Sequence, residues 1–288
     1  MLVSLARLLL LLLPILPLTF SSSSTDYTPP RFLQIHPTDP LKSHNHWKEV
    51  HLPWRSENGV DDILRTEQPF FEEIKKAAPH LFLGFDRSGN VIFLQRPGLI
   101  NFKSLSKSSI PSSTLLLHFI FTLEYCWRIL DPFRDVGSPK KTGLMTSLID
   151  LYSLSPLVAL NPEKFDFLTK FVTTLSQHYP QRSHLTIIVN APSWFNKIYK
   201  LISPMLRVKT REKVRIIGSV VGTGKAVERN REELREMVGG EVDVEFLFVK
   251  GGEAKKGELE EKFEGFANNI GKKSEAISED SEATNETS

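Results

Sequence analysis

Leu185 to Val189 reads LTIIV, a near-continuous apolar run without the polar–apolar alternation of a half-solvated strand. Such a strand is buried on both faces, which calls for a parallel sheet with helices above and below it. The surrounding sequence fits that demand. Asp61 to Ala78 reads as a helix with Asp61 or Asp62 near its N-cap. Leu81–Phe85 and Val91–Gln95 read as strands joined by the turn Asp86-Arg87-Ser88-Gly89. Ser112 to Leu130 reads as a long helix stopped by Asp131-Pro132, and Leu144 to Leu151 as a strand. Asn161-Pro162-Glu163 opens a helix with proline in its first turn; it runs to His178 and stops at Tyr179-Pro180. A helix from about Ser193, a strand at Val214–Ile217, a charge-laced helix at Glu228–Val238 and a last strand at Val242–Val249 follow. Strands alternating with helices of this length predict an α/β domain on a mixed, largely parallel sheet flanked by helices.

The flanking segments have other compositions. Arg7 precedes a short apolar run from Leu8 to Phe20, and Ser21 to Ser24 follow, the layout of a secretory or targeting signal over residues 1–24 without a clean A-x-A cleavage signature; a membrane-touching segment or a wrongly assigned N-terminus is the alternative. Residues 25–60 are rich in Pro, His, Ser and Thr and predict an extended connector. His44, His46 and His51 lie there with no carboxylate or thiolate at ligand spacing, so no metal site is expected. Glu253 to Ser288 holds ten acidic residues against five lysines, which predicts a frayed helix up to Ile270 and a solvated tail beyond it. Asn285-Glu286-Thr287 fits a glycosylation acceptor.

Catalytic chemistry is hard to find. The single cysteine, Cys126, excludes an internal disulfide framework and a cysteine-rich zinc site. There is no G-x-S-x-G nucleophile elbow. Gly222-Thr223-Gly224-Lys225 departs from a P-loop, with Ser219 where its first glycine belongs and Ala226 where Ser or Thr should follow the lysine. A binding function is favoured over an enzyme.

Two features stand apart. The helix SSTLLLHFIFTLEYCWRIL, residues 112–130, is apolar around most of its circumference, although a surface helix needs only one apolar stripe. Either it is buried between the sheet and other helices, or its second face lines a large apolar cavity. From Lys197 to Arg215, seven basic residues stand against the single Glu212, interleaved with Ile198, Tyr199, Leu201, Ile202, Met205, Leu206 and Val208. That is either a solvated amphipathic surface or one that meets anionic lipid headgroups and inserts apolar side chains. No nucleic-acid-binding signature accompanies it, and the net charge of the chain is only +2.

Three stretches together resemble the CRAL-TRIO lipid-binding family, in its phosphatidylinositol-transfer branch. Tyr179-Pro180-x-Arg182, a strand and then Asn190-Ala191-Pro192-x-x-Phe195 is similar to the family's central signature; residues 209–219 resemble its following strand; Asp86-x-x-Gly89 leading into Arg96-Pro97-Gly98 resembles its opening hairpin, and Asp150 also matches. The resemblance covers residues 69–252, with 25–68 as a connector and truncated N-terminal region and 253–288 as the acidic tail. It implies an apolar pocket holding one lipid, lined by Phe93, Leu117, Phe121 and Ser147. A gate helix that meets the membrane is implied at about Trp194 to Leu206, with contacts from Trp194, Phe195, Lys197, Ile198, Lys200 and Leu201. The family's phosphate-binding threonine, and the lysine three residues later, match Thr210 and Lys213. An acidic residue of the family aligns with Lys170, and Phe93 and Met145 replace two residues of its phosphatidylcholine set. The resemblance therefore implies a monomeric, non-enzymatic carrier of a phospholipid such as phosphatidylinositol, or of another hydrophobic small molecule. It would have no cofactor besides bound lipid, would act in the cytoplasm and peripherally on anionic membranes, or in the secretory pathway if residues 1–24 are a targeting signal, and would bind no nucleic acid. A non-transporting scaffold that recruits a protein partner is the alternative.

Overall fold

The computed structural model of the protein describes residues 27–130, 143–156, 161–239 and 242–270. Its strands are β1 (His80–Phe85), β2 (Val91–Gln95), β3 (Met145–Asp150), β4 (Ser183–Val189) and β5 (Val214–Ile216), side by side in chain order. β1 and β2 form an antiparallel hairpin, and each later pair is parallel. The hairpin turn is organised by Asp86: its Oδ1 accepts from the Ser88 and Asn90 amides at 2.8 and 2.9 Å, while its Oδ2 accepts the Thr146 hydroxyl of β3 at 2.6 Å. One carboxylate thus closes the turn and fastens it to the parallel part of the sheet.

The helices are α1 (Pro30–Leu33), α2 (Pro40–Asn45), α3 (Leu52–Glu57), α4 (Phe71–Ala77), α5 (Phe102–Lys107), α6 (Ser112–Tyr125), α7 (Pro162–His178), α8 (Phe195–Ile202), α9 (Val208–Arg211) and α10 (Lys225–Val238), and residues 258–270 form α11. A π-helical stretch, His46–His51, joins α2 to α3, and another, Cys126–Leu130, prolongs α6. Among the described residues, no helix is long and apolar enough to cross a membrane.

The period-two alternation of β2 assigns the two faces of the sheet. Val91 and Phe93 join Phe82 on one face, under α4, α6 and α11, where Phe71, Phe82 and Phe121 surround Phe263 at ring distances of 5.3 to 5.6 Å. Ile92 and Leu94 lie on the other face with Leu148, Ile187 and Val189, covered by Leu234 and Val238 of α10 and by Leu247 and Phe248. β4 is buried on both faces over Ile187–Val189, with Ile188 packed on the first face against Leu151 and Phe195.

Four expectations are corrected. The described part of the expected connector, residues 27–60, is largely helical and not extended: Pro30, Pro40 and Pro53 occupy first-turn positions, where the missing N–H has no partner to lose. The helix expected over Asp61–Ala78 is confined to Phe71–Ala77, because Pro69 bars a continuous helix through that point. The strand expected at Val242–Val249 is instead a 3₁₀ turn, Glu245–Phe248, whose Leu247 and Phe248 pack under α10. Residues 258–270 are docked and not frayed: Phe263 and Glu260 are buried, Glu260 pairs with Lys75, and it accepts the Phe82 amide at 2.8 Å. The expected targeting segment at 1–24, the Asp131-Pro132 stop, the tail beyond 270 and Asn285-Glu286-Thr287 lie outside the described residues.

The N-terminal helices are tied to the domain by polar and aromatic contacts. Arg55 Nη1 donates to Glu124 Oε1 of α6 at 2.9 Å, and the Tyr179 hydroxyl donates to the same oxygen at 2.8 Å. The Trp54 ring stacks on His178 with centroids 3.8 Å apart, and the Nδ1 atoms of His51 and His178 lie 3.3 Å apart. Glu124 is almost fully buried, so its charge needs these donors.

Candidate functional site

On the α6 face of the sheet, beyond β2, the strands leave a floor of Met145, Ser147, Ile149, Thr186, Ile188 and Val214. α7 roofs it. Its apolar residues Phe167, Phe171 and Leu175 recur at i, i+4 and i+8 and face inward, while Asp166 and Lys170 pair outside at 2.7 Å. α6 supplies a side wall by the same spacing, with Phe119, Leu123 and Trp127. Phe195 and Tyr199 of α8 close the far side. These walls enclose a largely apolar, open-mouthed cavity of about 320 Å³, within the ~300–1,000 Å³ usual for small-molecule sites.

The two ends of the cavity differ in chemistry. At the C-terminal ends of β2, β3 and β4, Asp150 accepts Arg96 Nε at 3.0 Å and Asn190 Nδ2 at 2.8 Å, and Arg96 Nη1 donates to the Gly252 carbonyl. Asn190 has φ 55°, a left-handed conformation that asparagine tolerates better than most residues, and its Oδ1 accepts the Val220 amide at 3.0 Å. Gly98 must be glycine, because a Cβ there would lie 2.1 Å from the Tyr152 carbonyl oxygen. This end is rigid and internally neutralised.

The opposite end, at the N-terminal edge of β3 to β5, is cationic. Lys213 Nζ donates to the Ser183 carbonyl at 2.6 Å, and burial, with Lys209 nearby, pushes its ammonium below the ordinary lysine range. Arg207 donates through Nε and Nη2 to the Ser176 carbonyl at 3.1 and 2.8 Å, and burial lowers its guanidinium as well. Thr210 lies on the wall between them in sequence, and Arg182 places its guanidinium 5.1 Å from the Trp127 ring centre while its Nη1 donates to the Gly143 carbonyl.

The sequence profile of the CRAL/TRIO domain matches residues 76–234, more than half of the chain. The chain belongs to the CRAL/TRIO domain family. The CRAL/TRIO match takes in all five strands, the cavity floor and roof, and α8. Among curated proteins, the phosphatidylinositol/phosphatidylcholine transfer protein SFH9 of Arabidopsis thaliana is 27% identical over 211 residues, covering 73% of this chain and 36% of that protein. The SEC14 cytosolic factor of Eremothecium gossypii is 24% identical over 228 residues, covering 78% of this chain and 72% of that protein. The chain spans about a third of the length of the plant transfer proteins it matches. The crystal structure of Sfh5 shares the fold, with a TM-score of 0.50 at 15% identity over 64% of this chain and 63% of that one.

Within this CRAL/TRIO fold, Thr210, Lys213, Ser147, Trp194 and Phe195 all lie on the cavity wall. Phe93, Leu117 and Phe121 do not, and their assignment to the wall is corrected. Phe93 is buried under α6 against His80 and Phe82; Leu117 packs on the same core; Phe121 turns the other way, toward Phe263 and Phe266 of α11. The stripe Phe119, Leu123, Trp127, one helical face away, takes their place. Phe195 is buried with Leu151 and Ile188 and anchors α8 to the sheet, whereas Lys197, Lys200 and Leu201 are exposed; the Ile198 side chain lies outside the described ones. Lys170 points away from the cavity, and its reversed charge is answered by Asp166. Reading the residues alone missed Phe119, Phe171 and Arg207 as wall residues. Helical spacing marks the first two and the basic run contains the third, but which side each faces depends on neighbours distant in sequence.

Proposed function

We propose that the protein binds one phospholipid, such as phosphatidylinositol, in this cavity and carries it between membranes without catalysing a reaction. The observation that carries the reading is the cavity itself: an apolar interior between Phe119, Phe167, Phe171 and the sheet, with cations gathered at one end. Acyl chains belong in the first part and the phosphate at the second, near Thr210 and Lys213. Each methylene removed from water contributes ~0.8 kcal/mol, so a lipid that would not cross water bare can do so inside such walls. α8 is the movable side. It is short, held inward by Phe195 and Tyr199, and faces outward with Lys197, Lys200 and the exposed Leu201; the exposed Val208 follows in α9. That surface suits contact with an anionic membrane from the cytoplasmic side. The names of the relatives, transfer proteins and a cytosolic factor, support the same reading.

Solvent extraction and mass spectrometry of the purified full chain test it. The expected result is one phospholipid per protein, exchangeable with vesicles. A protein that is isolated empty and takes up neither phosphatidylinositol nor phosphatidylcholine from vesicles would overturn the reading in favour of a scaffold.

A further inference from the structure

The charged residues on the described part of the cavity wall are all of one sign. Among the described residues that line it are Arg96, Lys164, Arg182, Arg207, Lys209 and Lys213, and no aspartate or glutamate. Arg96 is neutralised by Asp150, and Lys164 sits near the other end, 4.7 Å from the Phe102 ring centre. The remaining four converge on the N-terminal edge of β3 to β5, and for Arg207, Lys209 and Lys213 the partners among the described residues are uncharged. Arg207 grips the Ser176 carbonyl of α7, Arg182 the Gly143 carbonyl, Lys213 the Ser183 carbonyl, and Lys209 the Gln34 side chain at 2.9 Å. The bonds of Arg207, Lys209 and Lys213 orient these three cations without cancelling their charge. Arg207 is the most telling. Two of its nitrogens are fixed on one carbonyl, and its Nη1 is buried with no hydrogen-bond partner among the described residues. Several like charges in a partly desolvated wall are unfavourable unless an anion joins them, and a single phosphodiester supplies only one negative charge. A phosphomonoester supplies about −1.5 to −2 at neutral pH and three acceptor oxygens.

We propose that Arg207, with Lys209, forms a second phosphate-binding position beside Thr210 and Lys213, and that the cavity prefers phospholipids whose headgroup bears a phosphomonoester over those with a phosphodiester alone. The inference rests on the reading of the cavity as a lipid site. The unpartnered Nη1 of Arg207 can donate to a phosphate oxygen while Nε and Nη2 hold the Ser176 carbonyl. Lys209 adds a point charge at the rim.

The test is competitive loading of the full chain from vesicles containing equal amounts of phosphatidylcholine, phosphatidylinositol and phosphatidylinositol 4-phosphate, followed by quantification of each bound class. The wild-type protein should enrich the 4-phosphate over phosphatidylinositol by about tenfold. Arg207→Gln should remove that enrichment, read as the ratio of 4-phosphate to phosphatidylinositol loaded. Arg207 also braces α7, so Lys209→Gln is the second variant, since among the described residues Lys209 bonds an exposed glutamine; it should lower the enrichment by about threefold with unchanged thermal stability. A wild-type protein that loads phosphatidylinositol without enriching the 4-phosphate overturns this inference and leaves the lipid-carrier reading standing. So does enrichment that survives both substitutions. Failure to load any lipid overturns the carrier reading itself. The water-soluble headgroup, glycerophosphoinositol 4-phosphate, is titrated by calorimetry in parallel. Binding as tight as that of the lipid would assign the position to free phosphate esters and overturn the lipid preference.

Discussion

His51 and His178 meet at 3.3 Å in the seam between the N-terminal helices and the end of α7, with Trp54 stacked on one of them. Burial, with Arg55 and neighbouring histidines adding repulsion, holds His51 down at about 2 and His178 at about 4; in the core, burial and Lys75 hold His118 at about 3. All three are neutral in the folded protein at pH 7, while unfolded histidine titrates near ~6.5. Because the folded values are depressed, the stabilisation is complete above pH 6.5 and is lost as pH falls toward 4. Each histidine adds up to ~1.4 kcal/mol per pH unit to the slope. Chemical denaturation from pH 7.5 to 4.5 should therefore show stability falling steeply below 6.5, and His178→Phe, which keeps the stack on Trp54, should flatten the fall. An equal slope in the variant would place the proton uptake elsewhere. At this scale the sequence was readable where a residue's role is local. Asp86 in its turn and Asn161 as an N-cap were evident from their neighbours. The orientation of Phe121 was not, since Phe119 and Phe121 have the same chemistry and only the packing of α11 separates them.

α6 shows the same problem one level up. Its apolar circumference announced burial on more than one side. The structure divides that circumference between the cavity, through Phe119, Leu123 and Trp127, and α11, through Phe121 and Tyr125. Both readings of the helix hold, on different stripes. α11 itself was obscured by its acidic composition, although Phe263, Phe266 and Ala267 make a narrow apolar stripe at helical spacing. Removing the Phe263 ring opens a void among Phe71, Phe82 and Phe121, and Phe263→Ala should destabilise the protein by about 3–5 kcal/mol, read by urea denaturation. A loss below about 1 kcal/mol would mean that α11 is not a permanent part of the core. The 3₁₀ turn at Glu245–Phe248 resembles a strand in sequence for a related reason: its apolar residues satisfy the need for burial under α10 without adding a strand to the sheet.

For the molecule as a whole, the parallel order was written in the regular alternation of strands and helices, and the family in the residues of the Arg96–Asp150–Asn190 network, which hold the architecture together. What pattern could not supply was which charges surround the cavity and which face outward, because α8 to β5 carry both sets within one basic run. The outward set gives a prediction. Near an anionic surface each lysine contributes ~1 kcal/mol, so reversing Lys197 and Lys200 to glutamate should weaken binding to anionic vesicles by more than about tenfold in co-sedimentation. The effect should shrink as salt is raised. Equal binding of the wild-type protein to neutral and anionic vesicles would sink the idea.

The pairing of Phe121 with Phe263 also orders events in time. The outer flank of α6 is covered by α11, which is synthesised far downstream of it. At ~5–20 residues per second, that flank emerges from the ribosome and waits on the order of ten seconds for its cover. Through that interval the half-made protein presents a greasy ridge of phenylalanine and leucine, the kind of surface that nascent-chain chaperones hold.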